Sequence, residues 1–355
     1  MSFPHVADEI SADWVASILD PRFGALDGVA VQRIGNGLMG ENLRISLRWR
    51  SPATDMRRPQ SLVAKLASGD ATSRSTGVTT RTYEREIRFY QEIAPRTPIR
   101  TAHCYVAELD PVTGEFILLL EDLAPAEVGD QLRGCTVAEA RLAIDVAADL
   151  HAAWWDAPQL AEFDWLSSPR DLERGAQLAM LWDVAWPLFQ DRHRGAFRSD
   201  QIEVGARFGE SLESWANDRP GPYTVTHGDF RVDNLLFAGG PDPWVVPVDW
   251  QTPAIGSGIG DVAYFLGASL LVADRRAEET ALVRRWIDRL GAAGVSINAD
   301  RCWLDYRRAS FGGVLMAVAA SMLAQQTDRG DRMFAAMFDR HTEAALDLEG
   351  LELLR

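Results

Sequence analysis

The chain has 355 residues, of which 47% are hydrophobic and 25% charged, a balance that excludes large-scale disorder and fibrous repeats. This length is too great for one small core and predicts two lobes or domains. The formal net charge of -15 repels phosphate backbones, so we expect no nucleic-acid partner. The charge would favour a cationic substrate or would simply keep the surface soluble, and the composition leaves both interpretations open.

The cysteines and the apolar segments predict a cytoplasmic protein without a membrane partner. Cys104, Cys135 and Cys302 lie far apart and form no CxxC pair, which argues against a disulfide framework or zinc site and for a reducing compartment. The N-terminal residues lack the basic and apolar regions of a signal peptide. The most apolar stretch, 311–324, is shorter than the roughly 18 residues of a membrane span and is predicted to be a buried helix. No pattern indicates the oligomeric state.

The first third of the chain is predicted to be mainly β structure. A short helix within residues 1–20, capped by Ser11, precedes it. Strand 43–49 alternates apolar with polar residues, the period of a half-buried strand. The predicted elements that follow are strands 29–34, 43–49 and 61–66, a polar loop at 68–80, a helix beginning near Thr82, and strands 104–109 and 116–120.

After Glu121-Asp122-Leu123 the pattern changes, and Pro125 and Gly129 indicate a linker. Helical periodicity then dominates. We therefore predict an α+β fold with a small β-sheet lobe at 1–122, containing one main helix, and a larger, mostly helical lobe at 123–355. The elements predicted in this second lobe are helices within 136–157, 171–217 and beyond 261, and short strands near 223–226, 234–237 and 244–248.

A glycine motif lies between the first two predicted strands. Gly35, Gly37 and Gly40 match G-x-G-x-x-G, which is a weak signal when it stands alone. A dinucleotide-binding loop needs a helix directly after it, whereas a strand pattern follows here. Strand–loop–strand order is typical of the kinase loop that covers ATP phosphates with backbone N–H groups. A tight hairpin without a ligand remains the alternative.

The third strand carries the only lysine among the 36 lysine and arginine residues, Lys65, in the sequence Val-Ala-Lys. A strand-three lysine that binds ATP phosphates and pairs with a helix glutamate is typical of kinases, although this spacing is one residue shorter than V-A-I-K. Glu86 is the preferred partner and Glu84 the alternative. The segment Glu121 to Leu123 ends an apolar strand, where a kinase hinge would present backbone groups to adenine.

The strongest motif is His227-Gly-Asp229-Phe-Arg-Val-Asp-Asn234, which has the spacing H-x-D-x-x-x-x-N. Transfer of a phosphoryl group to an alcohol needs a carboxylate beside the hydroxyl, and Asp229 would supply it. Asn234 would offer a neutral oxygen to magnesium. Asp249, which follows a predicted strand, would offer a second ligand, and Mg²⁺ prefers one or two carboxylates together with substrate phosphates.

The sequences HGDFRVDNLLF and VDWQTPAIGSGIGDVAYFL resemble the aminoglycoside phosphotransferase and choline kinase superfamily. Glu86-Ile-Arg-Phe-Tyr90 and LLLEDL are most similar to its ecdysteroid-kinase-like branch and the bacterial relatives of that branch. The resemblance covers roughly residues 30–270 and implies a bilobal protein-kinase-like fold that uses ATP and Mg²⁺. It also implies Asp229 as catalytic base, Asn234 and Asp249 as magnesium ligands, and Asp261 as a structural partner of the loop.

Several other residues have competing interpretations. Arg231 follows Asp229 by two positions, and we hypothesise that it stabilises charge on the transferring phosphoryl group. His151 lies on an apolar helix face and is interpreted as a core residue. Five tryptophans could form an aromatic cage for a cationic ligand, but their helical spacing favours core positions: Trp154, Trp155, Trp182, Trp186 and Trp303.

The residues together predict an ATP-dependent phosphotransferase that acts on a hydroxyl of a small organic molecule. Aminoglycoside-, amino alcohol- and sterol-like alcohols all remain open as acceptors, because no motif diagnoses the acceptor pocket. A nucleotide-binding pseudokinase or regulatory module is the alternative, although no expected catalytic residue is missing. A dinucleotide-dependent oxidoreductase would rest on the glycine motif alone.

Overall fold

The computed structural model describes residues 3–35, 40–50, 58–168, 171, 173–323 and 326–354. Contacts among these residues divide the chain into two compact units. The N-terminal unit comprises Met1–Pro125 together with Val248–Thr252. The C-terminal unit comprises Ala126–Pro247 and Pro253–Arg355.

An antiparallel five-stranded sheet forms the N-terminal unit, with the strand order β1-β2-β3-β5-β4. Leu43, Ile45 and Leu47 are buried on one side of β2, as the alternation in the sequence predicts. The elements are α1 (Ala12–Ile18), β1 (Leu26–Arg33), β2 (Gly40–Trp49), β3 (Ser61–Ala67), α2 (Ala71–Thr79), α3 (Thr82–Arg88), a π-helical turn (Phe89–Ile93), β4 (Cys104–Leu109) and β5 (Phe116–Glu121).

Helix α2 occupies residues that the sequence analysis predicted as a polar loop, so that prediction is wrong. Serine, threonine and glycine have low helix propensity, and this helix therefore has little intrinsic signal. Local contacts compensate for it: the Asp70 side chain accepts a hydrogen bond from Ser73 N at the helix start. Arg74 then donates to the Ser68 carbonyl and pairs with Glu115.

Helices dominate the C-terminal unit, and two small antiparallel sheets accompany them, one with the strand order β6-β8-β9 and one pairing β10 with β7. The helices are α4 (Val137–Ala153), α5 (Glu173–Arg192), α6 (Ser199–Asn217), α7 (Gly258–Ser269), α8 (Val272–Ala292), α9 (Ala299–Ala309), α10 (Phe311–Leu323) and α11 (Asp328–Asp347). The strands are β6 (Glu127–Val128), β7 (Thr224–Thr226), β8 (Leu235–Ala238), β9 (Trp244–Pro247) and β10 (Ala254–Gly256).

Helix α7 is the centre of this unit, because every residue of it except Gly260 is buried. A helix that is apolar on all sides packs inside a protein, and the few polar side chains on such a helix must find partners. Within the described part of the chain, no helix is both long enough and apolar enough to cross a membrane. The mixed α+β class, with an antiparallel N-terminal sheet and a helical C-terminal part, is confirmed.

The segment Val248–Thr252 was expected in the second lobe but groups with the N-terminal unit. Two contacts explain the difference. Asp249 pairs with Lys65 of β3, and the Trp250 ring stacks on Phe89 with ring centroids 3.8 Å apart and planes 8° from parallel. Neither contact is local in sequence, so the order of elements along the chain does not indicate this grouping.

Asp122, directly after β5, stabilises the end of the sheet by accepting hydrogen bonds. Its carboxylate accepts hydrogen bonds from Arg44 Nε at 2.7 Å and Ser61 Oγ at 2.6 Å, and from the Ala124 N–H at 3.1 Å. Burial alone would raise the pKa of Asp122, but these donors outweigh burial and lower it. The stabilisation that they provide is therefore present above the unfolded-state pKa and is lost as the pH falls through the lower folded-state value.

We predict that Asp122→Asn lowers stability by about 1–3 kcal/mol at neutral pH, because a charged acceptor is replaced by a neutral one. The difference from the wild type should shrink as the pH falls below about 4, where Asp122 of the unfolded wild type becomes protonated. Thermal unfolding midpoints at neutral and acidic pH measure this. Asp27→Asn, in an exposed pair with Arg48, is the control and should change little at either pH. An Asp122→Asn deficit that persists unchanged in acid would contradict the account.

Candidate active site

Lys65 lies on β3, between Asn42 of β2 and Leu118 of β5 in the sheet register. Its ammonium is 2.6 and 2.7 Å from the two carboxylate oxygens of Glu86 and 2.8 Å from Oδ1 of Asp249. Burial alone would lower the pKa of Lys65, but Asp249 and Glu86 outweigh burial and raise it. The lysine is therefore a fixed cation held by two carboxylates.

Of the two glutamates that the sequence left open, Glu86 contacts the lysine. Its side chain is 1% exposed, and burial raises its pKa against the opposing effect of Lys65. Glu84, two residues earlier and so on the opposite side of the helix, pairs with Arg81 and Arg88 at the surface. Helix α3 therefore turns Glu86 toward the sheet and Glu84 away from it.

Asp249 adopts a left-handed backbone conformation with a φ of 65°. This region is sparsely populated by residues other than glycine, although aspartate tolerates it better than most, and such outliers persist only where the surroundings enforce them. Here the Lys65 ammonium holds the side chain, and the stack of Trp250 on Phe89 holds the next residue. The Asp249 side chain is 41% exposed, so its carboxylate is also open to a ligand.

The glycine motif joins antiparallel strands, because β1 pairs with β2 from Leu26↔Trp49 to Arg33↔Leu43. Gly35 has a φ of 67°, which favours glycine, and a Cβ on Gly40 would lie 2.9 Å from the Leu66 carbonyl oxygen. Gly37 lies outside the described residues. A strand rather than a helix follows the motif, so the geometry required of a dinucleotide-binding loop is missing.

The predicted hinge residues follow the buried strand β5. The Glu121 N–H donates to the His103 carbonyl at 2.8 Å, so this amide is already used. The Leu123 N–H makes no hydrogen bond within the described part of the chain. A ligand here would therefore meet the Glu121 carbonyl and the Leu123 amide, an acceptor and a donor on one short segment.

In the C-terminal unit, α7 anchors the loop from His227 to Asn234. Asp261 accepts hydrogen bonds from the His227 N–H at 2.7 Å and the Gly228 N–H at 3.1 Å. Ser269 Oγ, at the end of the same helix, accepts from the Val232 N–H at 3.0 Å. These bonds satisfy buried loop amides and fix the loop against a fully packed helix.

His151 extends this anchor. Trp286 Nε1, which can only donate, lies 3.0 Å from His151 Nδ1, so Nδ1 accepts and the ring hydrogen is on Nε2. That Nε2 lies 3.3 Å from Asp261 Oδ2, to which it donates. The ring is fully buried, as expected of a core histidine, and Asp261 connects it to the loop from His227 to Asn234.

Asp229 receives hydrogen bonds on both carboxylate oxygens. Tyr264 Oη donates to Oδ1 at 2.8 Å, and Asn234 Nδ2 donates to Oδ2 at 2.7 Å. Arg231 Nε lies 3.1 and 3.2 Å from the two oxygens. Burial alone would raise the pKa of Asp229, but Arg231, Tyr264 and Asn234 help to outweigh burial and lower it. The carboxylate is therefore ionised at neutral pH.

Arg231 bridges two carboxylates, because Nη1 also donates to Asp233 Oδ2 at 2.9 Å. Its side chain is 16% exposed, and the neighbouring carboxylates outweigh burial and raise its pKa. The predicted role of Arg231, stabilisation of a transferring group, would require it to release Asp229 and turn to a ligand.

Asn234 is fixed in one amide orientation. Its Nδ2 donates to both the Asp229 carbonyl, at 2.9 Å, and the Asp229 carboxylate, at 2.7 Å. The amide oxygen Oδ1 is therefore the atom that this side chain can offer to a cation. A neutral amide oxygen is one of the hard oxygen donors that Mg²⁺ accepts in proteins.

The five tryptophans do not meet in one cage. Trp182 stacks on Trp186, Trp154 packs against Phe163, Trp155 contacts Trp286, and Trp303 stacks on Tyr306.

Tyr264 is the site residue that the sequence analysis missed. It follows Asp261 by three positions, so both side chains lie on one face of α7. This spacing is the signal that was available in the sequence.

A family model described as the phosphotransferase enzyme family APH matches residues 56–303, more than half of the chain. The chain belongs to this family.

Solved structures agree on the fold. A candidate aminoglycoside phosphotransferase from Ralstonia eutropha JMP134 is 14% identical, with 97% of this chain and 98% of that chain covered and a TM-score of 0.56. The GDP complex of aminoglycoside 2'-phosphotransferase-IIIa is 12% identical, with 88% and 92% covered and a TM-score of 0.55. A search of curated proteins finds no significant match. At such low identity the structural likeness establishes the fold alone.

We predict that Lys65→Arg weakens binding of ATP–Mg²⁺ by at least about tenfold, since a planar guanidinium cannot replace a compact ammonium that lies close to three carboxylate oxygens. Isothermal titration calorimetry measures the affinity. Arg48→Lys, on β2 in its exposed pair with Asp27, is the matched control and should bind as the wild type does. Equal affinity of Lys65→Arg and the wild type would show that the lysine does not serve the nucleotide.

Proposed function

We propose that the protein transfers the γ-phosphate of ATP to a hydroxyl of a small organic molecule. The acceptor oxygen forms a bond to the γ-phosphorus, and the bond from that phosphorus to the β–γ bridging oxygen breaks. ADP leaves, and the hydroxyl proton passes to Asp229. The reaction requires mainly positioning and electrostatic stabilisation from the protein.

The observation that carries this proposal is the environment of Asp229. The carboxylate is partly buried, with 22% of its side chain exposed, and its lowered pKa keeps it ionised on a loop whose amides are fixed by Asp261. A base with a lowered pKa binds a proton weakly, so it orients the alcohol and accepts the proton only as the new bond to phosphorus forms. Late proton transfer suits phosphoryl transfer, because the attacking oxygen gains little charge before its bond to phosphorus forms.

The nucleotide would contact the residues of the N-terminal unit. Lys65 would be the cation that binds the phosphates. This role is supported by its carboxylate partners, Glu86 and Asp249, which keep the buried ammonium charged. The backbone near Gly35, Gly37 and Gly40 would cover those phosphates. The Glu121 carbonyl and the Leu123 amide would receive the adenine ring.

Asn234 and Asp249 would hold magnesium, which supplies positive charge that neutralises the phosphates of ATP. Arg231 would stabilise charge on the phosphoryl group, once the acceptor hydroxyl replaces it beside Asp229. The magnesium role is supported by the oxygen-donor chemistry of Asn234 and Asp249 and by the order of these two residues in the family motif.

The acceptor is an alcohol of the aminoglycoside-, amino alcohol- or sterol-like kind. The net charge of -15 supports a cationic acceptor. The two structurally similar proteins described above are both named as aminoglycoside phosphotransferases. We place the reaction in the cytoplasm, which is supported by three cysteines without disulfides.

We predict that Asp229→Asn lowers the rate of phosphoryl transfer by about 10²–10⁴-fold while the affinity for ATP–Mg²⁺ stays within about threefold, because the base is lost and the nucleotide contacts remain. ADP formation across a panel of sugars, aminoglycosides, amino alcohols, sterols and macrolides measures the rate. Asp242→Asn, an exposed aspartate between β8 and β9, is the control and should retain full activity. Full turnover by Asp229→Asn would remove Asp229 from the mechanism.

We also predict that ATP with Mg²⁺ raises the thermal unfolding midpoint, whereas NAD does not. A ligand at about 100 times its dissociation constant stabilises a protein by about 2.7 kcal/mol. Stabilisation by NAD alone would favour the oxidoreductase interpretation. Stabilisation by ATP–Mg²⁺ together with no ADP formation on the whole alcohol panel would favour the pseudokinase.

A further inference from the structure

Among the residues that the structure describes, one hydrogen-bond donor to the Asp229 carboxylate lies outside its own loop. Arg231 and Asn234 follow it within five residues, and both have further tasks in the proposed reaction. Tyr264 comes instead from α7, and its hydroxyl donates to Oδ1 at 2.8 Å. A donor on a helix that is buried on all sides can stay in place while the loop residues change their contacts.

The Tyr264 ring packs against the imidazole of His341 on α11. The two rings stack with centroids 5.5 Å apart and planes 16° from parallel. Tyr264 is 6% exposed and His341 is fully buried, so neither ring has room to turn aside. The stack therefore limits the positions available to the Tyr264 hydroxyl.

Two glycines make the space for His341. A Cβ on Gly267, one turn after Tyr264 on α7, would lie 2.4 Å from the imidazole. A Cβ on Gly313 of α10 would lie 1.9 Å from it. Real Cβ atoms do not approach other heavy atoms so closely, so α7, α10 and α11 meet around this ring only because both positions are glycine.

His341 acts here by shape and not by hydrogen bonding. Within the described part of the chain, neither ring nitrogen has a hydrogen-bond partner of normal geometry. Burial, together with the nearby Arg275 and Arg340, lowers the pKa of His341 to about 3, so the ring is neutral near pH 7. A buried, neutral ring can therefore hold Tyr264 by packing.

We propose that Tyr264 is a positioning residue that fixes the rotation of the Asp229 carboxylate, and that His341 keeps Tyr264 in place. The inference rests on the proposed function, because it assigns Asp229 a hydroxyl to orient. The terminal torsion of an aspartate is soft and broad, so a free carboxylate would sample many rotations. Donors on Oδ1 and Oδ2 select one rotation, and the donor on Oδ1 that lies outside the loop is Tyr264.

The geometry also shows why the third donor cannot replace Tyr264. Arg231 Nε is almost equidistant from the two carboxylate oxygens, at 3.1 and 3.2 Å, so it lies between them. In the proposed reaction the acceptor hydroxyl would take this position beside the carboxylate. When the alcohol replaces Arg231 there, Tyr264 and Asn234 remain as the two donors that hold the carboxylate.

The test is Tyr264→Phe, which keeps the ring and its stack on His341 and removes only the hydroxyl. Misplacement of a reacting group by about 1 Å can cost about 100-fold in rate, so we expect kcat to fall at least about tenfold. The KM for ATP should stay within about twofold of the wild type, because Tyr264 has no predicted contact with the nucleotide. The assay measures ADP formation with ATP–Mg²⁺ and the best alcohol of the panel.

Tyr306→Phe is the matched control. Tyr306 is also buried in the C-terminal unit, and its hydroxyl donates to the Glu279 carboxylate at 2.7 Å. This variant loses a similar hydrogen bond away from Asp229, so its thermal midpoint should fall while kcat stays unchanged. A kcat of Tyr264→Phe within twofold of the wild type overturns the proposal, and so does an equal loss of kcat in both variants.

Crystal structures of the wild type and Tyr264→Phe provide a readout that does not depend on turnover. A rotated or disordered Asp229 carboxylate in the variant supports the positioning role, and an unchanged carboxylate overturns it. If the wild type forms no ADP with any alcohol, the proposed function fails. The two crystal structures then still decide whether Tyr264 positions Asp229.

Discussion

A carboxylate that stays charged inside the protein is the constraint on which the C-terminal unit depends. Partial burial of Asp229 would raise the pKa of its carboxyl group unless hydrogen-bond donors compensated for the lost hydration. Tyr264, Asn234 and Arg231 supply those donors, and they must arrive from a helix and a loop at fixed distances. The burial of α7, the anchoring of the loop by Asp261 and the close packing around His341 all serve this requirement.

The N-terminal unit contains a buried charge of the opposite sign, the ammonium of Lys65. The carboxylates of Glu86 and Asp249 balance the positive charge of Lys65, and Asp249 comes from a distant part of the chain. The stack of Trp250 on Phe89 and the strained backbone of Asp249 hold that carboxylate beside the lysine. Each unit therefore balances the charge of its own group with its own residues. Lys65 is protonated and Asp229 is ionised before any ligand binds.

Much of the site could be predicted because its chemistry imposes short, regular spacings. The loop from His227 to Asn234 and the lone lysine on β3 are of this kind, and the alternation in β2 predicted the sheet in the same way. Contacts between distant segments have no such spacing. The grouping of Asp249 with the N-terminal unit and the hydrogen bond of Tyr264 both depend on tertiary packing. Helix α2 was missed because capping by Asp70 and the contacts of Arg74 override a poor intrinsic propensity.

The most direct measurement of the central claim follows the phosphate itself. ATP labelled on its γ-phosphate is incubated with the protein, Mg²⁺ and the alcohol panel, and the products are separated by mass. The account predicts that the label moves to a hydroxyl of one class of alcohol and that ADP forms in equal amount. ATP–Mg²⁺ that binds tightly while the label stays on ATP, or moves only to water, would contradict it.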